Sequence, residues 1–180
     1  MALGRDRASL SGIAPPGLLV MNIRPFEPTD KTSVSILLDT AFESPAELRL
    51  VETLRAGGDL AIELVALLEG RVVGYVALAH LVSPRGWLSL SPVAVSPSRQ
   101  ERGIGSGLIR QGLDLARRSG AAAVTVLGNP EYYSRFGFTL KAAENLVVEY
   151  PKEFFMLYPI APHTAGIAED IIYPKAFRSV

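Results

Sequence analysis

Apolar positions recur along this chain in two rhythms, one helical and one of extended strands. Val20 to Arg24 reads as a short strand. From Lys31 to Ala41, Val34, Ile36, Leu37 and Leu38 fall at helical spacing, and Thr29 stands where a cap belongs. A second helix follows, with Leu48, Val51 and Leu54 on its buried side and Gly57-Gly58 as its stop. Ser44, Pro45 and Glu47 match a capping box with proline at the first helical position. Leu60 to Leu68 and Val72 to Val82 are apolar runs joined by Glu69-Gly70-Arg71, a hairpin, and Trp87 to Val95 is the next strand. Pro92 inside that run cannot donate to a ladder, so it marks a bulge, an edge or broken pairing.

The pattern then returns to helical from Ile104 to Arg118, with Ile104, Leu108 and Leu115 on one side, Asp114 set to pair with Arg118, and Gly120 as the stop. Ala121 to Leu127 is a continuous small and β-branched run, as expected of a strand covered on both faces. Asn129-Pro130 starts a short helix through about Arg135. Leu146 to Tyr150 and Phe154 to Ile160 read as two further strands, while the proline-punctuated segment from Ala161 has no clear period. The elements form one domain over residues 21–160, preceded by a loose leader over 1–20 and followed by a tail, 161–180, packed on the same domain.

Chemistry concentrates where strand passes to helix. Val95 to Gly107 reads V-S-P-S-R-Q-E-R-G-I-G-S-G. Gly103 and Gly105 remove side chains so that backbone N–H groups can converge on an anion, the following helix adds its positive end, and Arg99 and Arg102 supply mobile charge. This is the composition of a pyrophosphate cradle. A dinucleotide fingerprint fits worse, because Ser96 to Arg102 intervene, Leu108 occupies the third glycine position and no acid lies in Ala121 to Leu127. A Walker loop fails for want of Gly-Lys-Ser/Thr.

Composition narrows the classes. With 180 residues, 48% of them hydrophobic, the chain can bury one substantial core. Its 18 basic and 18 acidic residues cancel, so no overall field recruits nucleic acid or an anionic membrane. There is no cysteine, hence no disulfide, thiolate site or acyl-cysteine, and His80 and His163 are isolated, so no metal site is expected. Pro15, Pro16 and Gly17 interrupt the apolar start, which argues against a signal peptide or membrane anchor and for a cytoplasmic protein.

The order of elements, the V-x-P-x-x-Q-x-x-G-x-G stretch at Val95 to Gly105, and Tyr132-Tyr133-Ser134-Arg135-Phe136-Gly137-Phe138 together resemble the GNAT superfamily of acetyl-CoA-dependent N-acetyltransferases, and among them the bacterial acetyltransferases. The resemblance implies an α/β (α+β) fold with a mixed, mainly antiparallel central sheet whose central strands splay apart, flanked by helices. It implies acetyl-CoA as acyl donor, with pantetheine bonding like an added strand to the main chain of Val93, Ala94 and Val95. By the family pattern the turn from Gln100 through Glu101, Arg102, Gly103 and Ile104 to Gly105 holds the pyrophosphate, Ser106 adds a hydroxyl, and Arg99 or Arg102 neutralises phosphate charge. Glu101 contributes through its backbone, since a carboxylate would repel phosphate.

Similar enzymes keep a tyrosine near the thioester sulfur, and Tyr133 occupies that place as the catalytic residue that could protonate the departing thiolate, with Tyr132, Phe136 and Phe138 as packing residues. The resemblance makes the reaction transfer of acetyl to a primary amine, of a small molecule, by direct sequential attack. Two other readings stay open: a non-catalytic acyl-CoA sensor, and acetylation of a protein N-terminus or lysine. Trp87 to Val95 holds no Glu or Asp, so the base is open between a water relay, Glu43, Glu47 and His80. The acceptor itself depends on the segment around Phe42 to Leu54 and on the tail; the sequence leaves it, and any homodimer, unassigned.

Overall fold

A computed structural model describes residues 20–179, so the leader expected over 1–20 lies outside the described residues apart from Val20. One six-stranded sheet runs in chain order: β1 (Met21–Pro25), β2 (Leu60–Leu68), β3 (Arg71–His80), β4 (Trp87–Val95), β5 (Ala123–Leu127) and β6 (Phe155–Pro159). Every neighbouring pair is antiparallel except β4 with β5. Helices α1 (Lys31–Ala41) and α2 (Ala46–Gly57) cover one face, α3 (Ile104–Arg118) covers the other, and the short α4 (Pro130–Tyr133) follows β5.

The two faces follow from strand alternation. Leu64, Ala66, Val76 and Leu78 turn to Ile104, Leu108, Ile109 and Leu113 of α3, whereas Val65, Tyr75 and Ala77 turn to Val34, Leu37, Leu38 and Val51. Gly74 sets how closely α3 lies: a Cβ there would stand 2.8 Å from Ile104 Cγ2 and 2.9 Å from Leu108 Cδ1.

The parallel junction is short. Only Trp87, Leu88 and Ser89 of β4 pair with Ala123, Val124 and Thr125 of β5; beyond Ser89 the strands part. On its other side β4 stays paired to β3 as far as Val95, but its register slips so that Ser91 and Pro92 together oppose Ala77. Pro92 therefore sits in a bulge, one of the outcomes its missing N–H allowed.

Three local expectations change. Leu146 to Tyr150 forms no strand: Thr139 already pairs with Leu157 on the free edge of β6, leaving Val147 a single bridge to Asp170. Thr29 does not cap α1, because it lies within the 3₁₀ turn Pro28–Asp30 that runs into the helix, and the Glu27 N–H donates to Asp30 Oδ2 at 2.8 Å instead. The capping box on α2 does not form either. Pro45 occupies the cap position, which puts Leu48 rather than Glu47 at the third helical position, while Ser44 Oγ accepts from the Ala46 N–H at 3.2 Å.

The tail lies against the sheet's other end. The N–H groups of Val82 and Ser83 donate to Ile172 O at 2.8 and 3.2 Å, and Ala176, in a 3₁₀ turn at Lys175–Arg178, packs with Leu50, Leu54 and Ala79. α2 is tied to the sheet by charge. Arg55 Nη2 donates to Glu63 Oε1 at 2.6 Å, the same oxygen accepts from the Tyr75 hydroxyl at 2.6 Å, and the guanidinium stacks 4.4 Å from the Phe26 ring centroid. Among the described residues no helix is long and apolar enough to cross a membrane.

Candidate active site

The segment between β4 and α3 is a 3₁₀ turn, Pro97–Arg99, followed by a backbone that is left-handed at Glu101 (φ 61°) and Gly103 (φ 80°). Alternation into left-handed geometry just before a helix makes an anion-binding nest, to which the first turn of α3 adds unpaired N–H groups. Glycine meets that geometry at 103 without cost, while Glu101 keeps its side chain exposed.

A cleft of about 780 Å³ opens over this nest, within the range of small-molecule sites. Val93 and Val95 of β4 line one wall; Arg99, Gln100, Glu101 and Gly103 form the rim; Ile104, Gly105 and Ser106 come from α3. Gln100 is braced by donating from Nε2 to Val95 O at 3.4 Å. A Cβ on Gly105 would lie 3.2 Å from the Tyr132 hydroxyl oxygen and 3.6 Å from Val95 Cγ2, so glycine keeps the passage between them open. Of the residues assigned here from sequence, Arg102 does not line the cleft, and Ala94, assigned through its main chain, buries its methyl among Val34, Leu38 and Tyr75 on the opposite face.

Tyr133 closes the far wall. Its ring packs edge-on against Tyr132 (5.0 Å, 87°) and Phe138 (5.8 Å, 86°), and a Cβ on Gly128 would fall 2.4 Å from Tyr133 Cε2. Burial, with Tyr132 alongside, pushes the Tyr133 phenol up to about 12. Two lining residues were not assigned to the site from sequence. Tyr132, read as packing, does pack on Phe136 (5.3 Å) but also faces the cleft, and Arg135 lines it with its guanidinium 4.7 Å over the Tyr132 ring. The signal was present in the i, i+3 spacing of the two, which puts them on one side of a helical turn.

A second, smaller pocket of about 170 Å³ lies where β4 and β5 part, lined by Ser89, Leu90 and Ser91 of β4, Leu50 of α2, and Tyr150, Tyr173 and Phe177 from the segments beyond the sheet. Tyr173 anchors that wall: it packs on Tyr150 (5.3 Å) and Phe177 (4.7 Å), beside Ser89 and Thr125, the last pair of the β4–β5 junction. Burial pushes its phenol up to about 12, opposed by the nearby Thr125 and Ser89 hydroxyls. Of the groups left open as base, Glu43 is exposed, and His80 lines a separate pocket with Gly86 and Ser119 at the opposite end of β4. Glu47 stands one helical turn before Leu50. No cluster of metal-ligating side chains occurs among the described residues.

Comparison with known proteins agrees with this geometry. Residues 32–138 match the acetyltransferase (GNAT) family. The chain is 41% identical over 166 residues to the N-acetyltransferase YhbS of Escherichia coli K12, spanning 88% of this chain and 99% of that protein. The crystal structure of E. coli YhbS in complex with CoA superposes with a TM-score of 0.83 at 35% identity, covering 89% of this chain and 93% of that one. A GNAT family acetyltransferase from Brucella melitensis, in complex with acetyl-CoA, gives 0.76 at 32% identity, covering 89% and 99%.

Proposed function

Because the chain belongs to the GNAT acetyltransferase family, we propose that it moves acetyl from acetyl-CoA to a primary amine of a small molecule, by direct attack and without an acyl-enzyme. The observation that carries this reading is the continuity of the freed edge of β4. Its Val93–Val95 end borders the nest, and its Leu90–Ser91 end borders the second pocket, so an acyl donor and an acceptor can meet along one strand.

In this reading the turn from Gln100 to Gly105 and the Ser106 hydroxyl hold pyrophosphate, with Arg99 and Arg135 neutralising charge at the rim. Main-chain groups between Val93 and Val95 take the pantetheine amides as an added strand would, and an N–H on the same edge stabilises the developing oxyanion. The amine lone pair forms the C–N bond, the tetrahedral species collapses, and the C–S bond breaks with its electrons on sulfur.

Tyr133 donates a hydrogen bond to that sulfur. Burial disfavours ionisation of this phenol, so it assists thiolate departure by hydrogen bonding, and the thiolate collects its proton from solvent.

The direct test is release of free thiol from acetyl-CoA over a panel of monoamines, spermidine, aminoglycosides, amino acids and short peptides. Release with a small amine supports the reading. CoA binding with no release for any member points instead to the acyl-CoA sensor, and release with peptides alone points to a protein acetyltransferase.

A further inference from the structure

Gly128 is a glycine for a reason that lies outside its own backbone. It follows β5 and precedes the Asn129 cap of α4, and its φ lies outside the left-handed region, unlike Gly103 (φ 80°) and Gly137 (φ 100°). The conformation of the turn would therefore accept another residue at 128. What the site does not accept is a side chain, because a Cβ there would stand 2.4 Å from Cε2, 2.9 Å from Cδ2 and 3.4 Å from Cζ of Tyr133. The first of these falls about 1 Å inside ordinary contact between carbons. The ring closes onto the main chain beyond β5, in the space that a methyl would fill.

Neither partner is free to yield. The Gly128 N–H donates to Phe154 O at 2.9 Å, next to the Leu127–Phe155 pair of β5 and β6. Asn129 Oδ1 accepts from the Glu131 N–H at 2.9 Å, and Asn129 O accepts from the N–H groups of Tyr132 and Tyr133 at 3.1 and 3.0 Å, so hydrogen bonds close the turn from strand to helix. On its other sides the Tyr133 ring meets Tyr132, Phe136 and Phe138, with centroids 5.0, 6.4 and 5.8 Å away. A methyl at 128 must therefore push the ring out of this box, and the hydroxyl at its end travels with it. A displacement of about 1 Å at a reacting group costs on the order of 10²-fold in rate.

We propose that Gly128 is a positioning residue for the transfer: by presenting bare main chain to the Tyr133 ring, it fixes the phenol hydroxyl beside the sulfur of the departing CoA. The proposal rests on the reading above in which Tyr133 donates a hydrogen bond to that sulfur. Gly128 does not itself line the cleft over the nest, whereas Tyr133 does. It acts through the ring, so its effect on turnover must vanish once the hydroxyl is gone. A glycine kept only for packing would impair the protein equally with or without that hydroxyl.

The test is a cycle of Gly128→Ala and Tyr133→Phe, with thiol release measured for the best amine of the panel above. Gly128→Ala should lower kcat about 10²-fold while the KM for acetyl-CoA and the affinity for CoA stay within about threefold. Added to Tyr133→Phe, it should lower kcat by less than about threefold more. Wild-type kcat in Gly128→Ala beside a slow Tyr133→Phe overturns the proposal, and so does a full second loss in the double variant. Wild-type kcat in Tyr133→Phe overturns the sulfur reading and the positioning with it. Melting temperatures decide the case in which Gly128→Ala folds poorly. Tyr133→Ala removes every ring atom that the methyl strikes, so adding Gly128→Ala to it should leave the melting temperature unchanged; a loss as large as in wild type overturns the proposal, because the backbone rather than the ring would then require glycine. In crystal structures with CoA, the Tyr133 hydroxyl oxygen should lie within hydrogen-bond distance of the sulfur and be displaced by about 1 Å in Gly128→Ala. That displacement with no thiol released by any amine supports the positioning and overturns the transfer reading alone, and an unmoved hydroxyl overturns the proposal.

Discussion

The two sides of the parting strands are built by different means. On the α3 side the wall is mostly backbone: a nest with left-handed residues at Glu101 and Gly103, a helix start, and Gly105 where the passage narrows, all within one run after β4. On the α2 side it is made of side chains from segments far apart in sequence, with Leu50, Ser91, Tyr150 and Tyr173 meeting only because the sheet, α2 and the tail converge. A site made of main chain demands glycines and caps at fixed spacing, and so holds one invariant ligand. A site made of side chains can change its residues freely, which suits the variable partner of the reaction.

The largest expected effect breaks the backbone side alone. In Gly105→Val the added branches would occupy the gap between the Tyr132 hydroxyl and Val95, so CoA affinity should fall beyond detection in a calorimetric titration while circular dichroism stays that of the folded chain. Wild type should be stabilised by about 2.7 kcal/mol at a hundred times the dissociation constant of CoA, and the variant by nothing. Undiminished affinity in the folded variant would mean that the Gly-rich turn holds no ligand.

Next comes the residue at the meeting point. Tyr133→Phe keeps the ring contacts with Tyr132 and Phe138 and removes only the hydroxyl, so stability and CoA affinity should hold while turnover drops about 10²-fold, as for loss of one positioned donor. The drop should be greatest with weakly basic amines, where C–S cleavage limits the rate. Wild-type turnover with every amine would make the ring purely structural.

This division also explains what could be read from the chain. Gly103, Gly105 and the tyrosine helix announced the nest and its cleft because a left-handed turn and a narrow passage restrict which residues the backbone tolerates. The sheet was legible through alternation, and the bulge on the β3 side of β4 through Pro92, while the parting of β4 from β5 beyond Ser89 was expected only from the family resemblance. Leu146 to Tyr150 misled because an apolar run records burial, not whether a sheet edge is free, and Thr139 had already taken that edge. Glu47 misled in the same way. Its spacing from Ser44 matched a cap, but the intervening proline shifted the helix start by one residue, and Glu47 is instead half-buried with its Oε2 closed to solvent.

A third change loosens the side-chain wall and spares the other. Glu63 Oε1 receives both Arg55 and the Tyr75 hydroxyl, and this junction sets where α2, and with it Leu50, lies on the sheet. Tyr75 is fully buried, and its phenol is pushed well above its ordinary value by burial and by the neighbouring Glu63 carboxylate, so it remains a donor throughout the working pH range. Glu63→Gln replaces charged bonds with neutral ones and should cost about 1.5–3 kcal/mol in denaturant unfolding. The KM for the amine should rise with little change in that for acetyl-CoA; equal changes in both would show that the two walls are mechanically one.

The smallest effect is a matter of pH. Asp30, at the start of α1 on the α2 side of the sheet, accepts two bonds from Arg24 at 2.7 and 2.9 Å, and that pairing, opposed by burial and aided by the Glu27 N–H, holds its carboxyl below the ordinary value. A carboxyl depressed in the folded state contributes stability that is present in full above its unfolded value, near 3.9, and is lost as pH falls through the folded value. The ion pairs along α3 are exposed, Asp114 with Arg117 and Arg118, and should contribute little to that loss. Asp30→Asn should therefore lower stability slightly at neutral pH and flatten the decline of unfolding free energy below pH 4, measured by urea titration at several pH values. Asp114→Asn should leave the same curve unchanged; if instead it flattens the curve as much as Asp30→Asn does, the acid sensitivity does not distinguish the two faces.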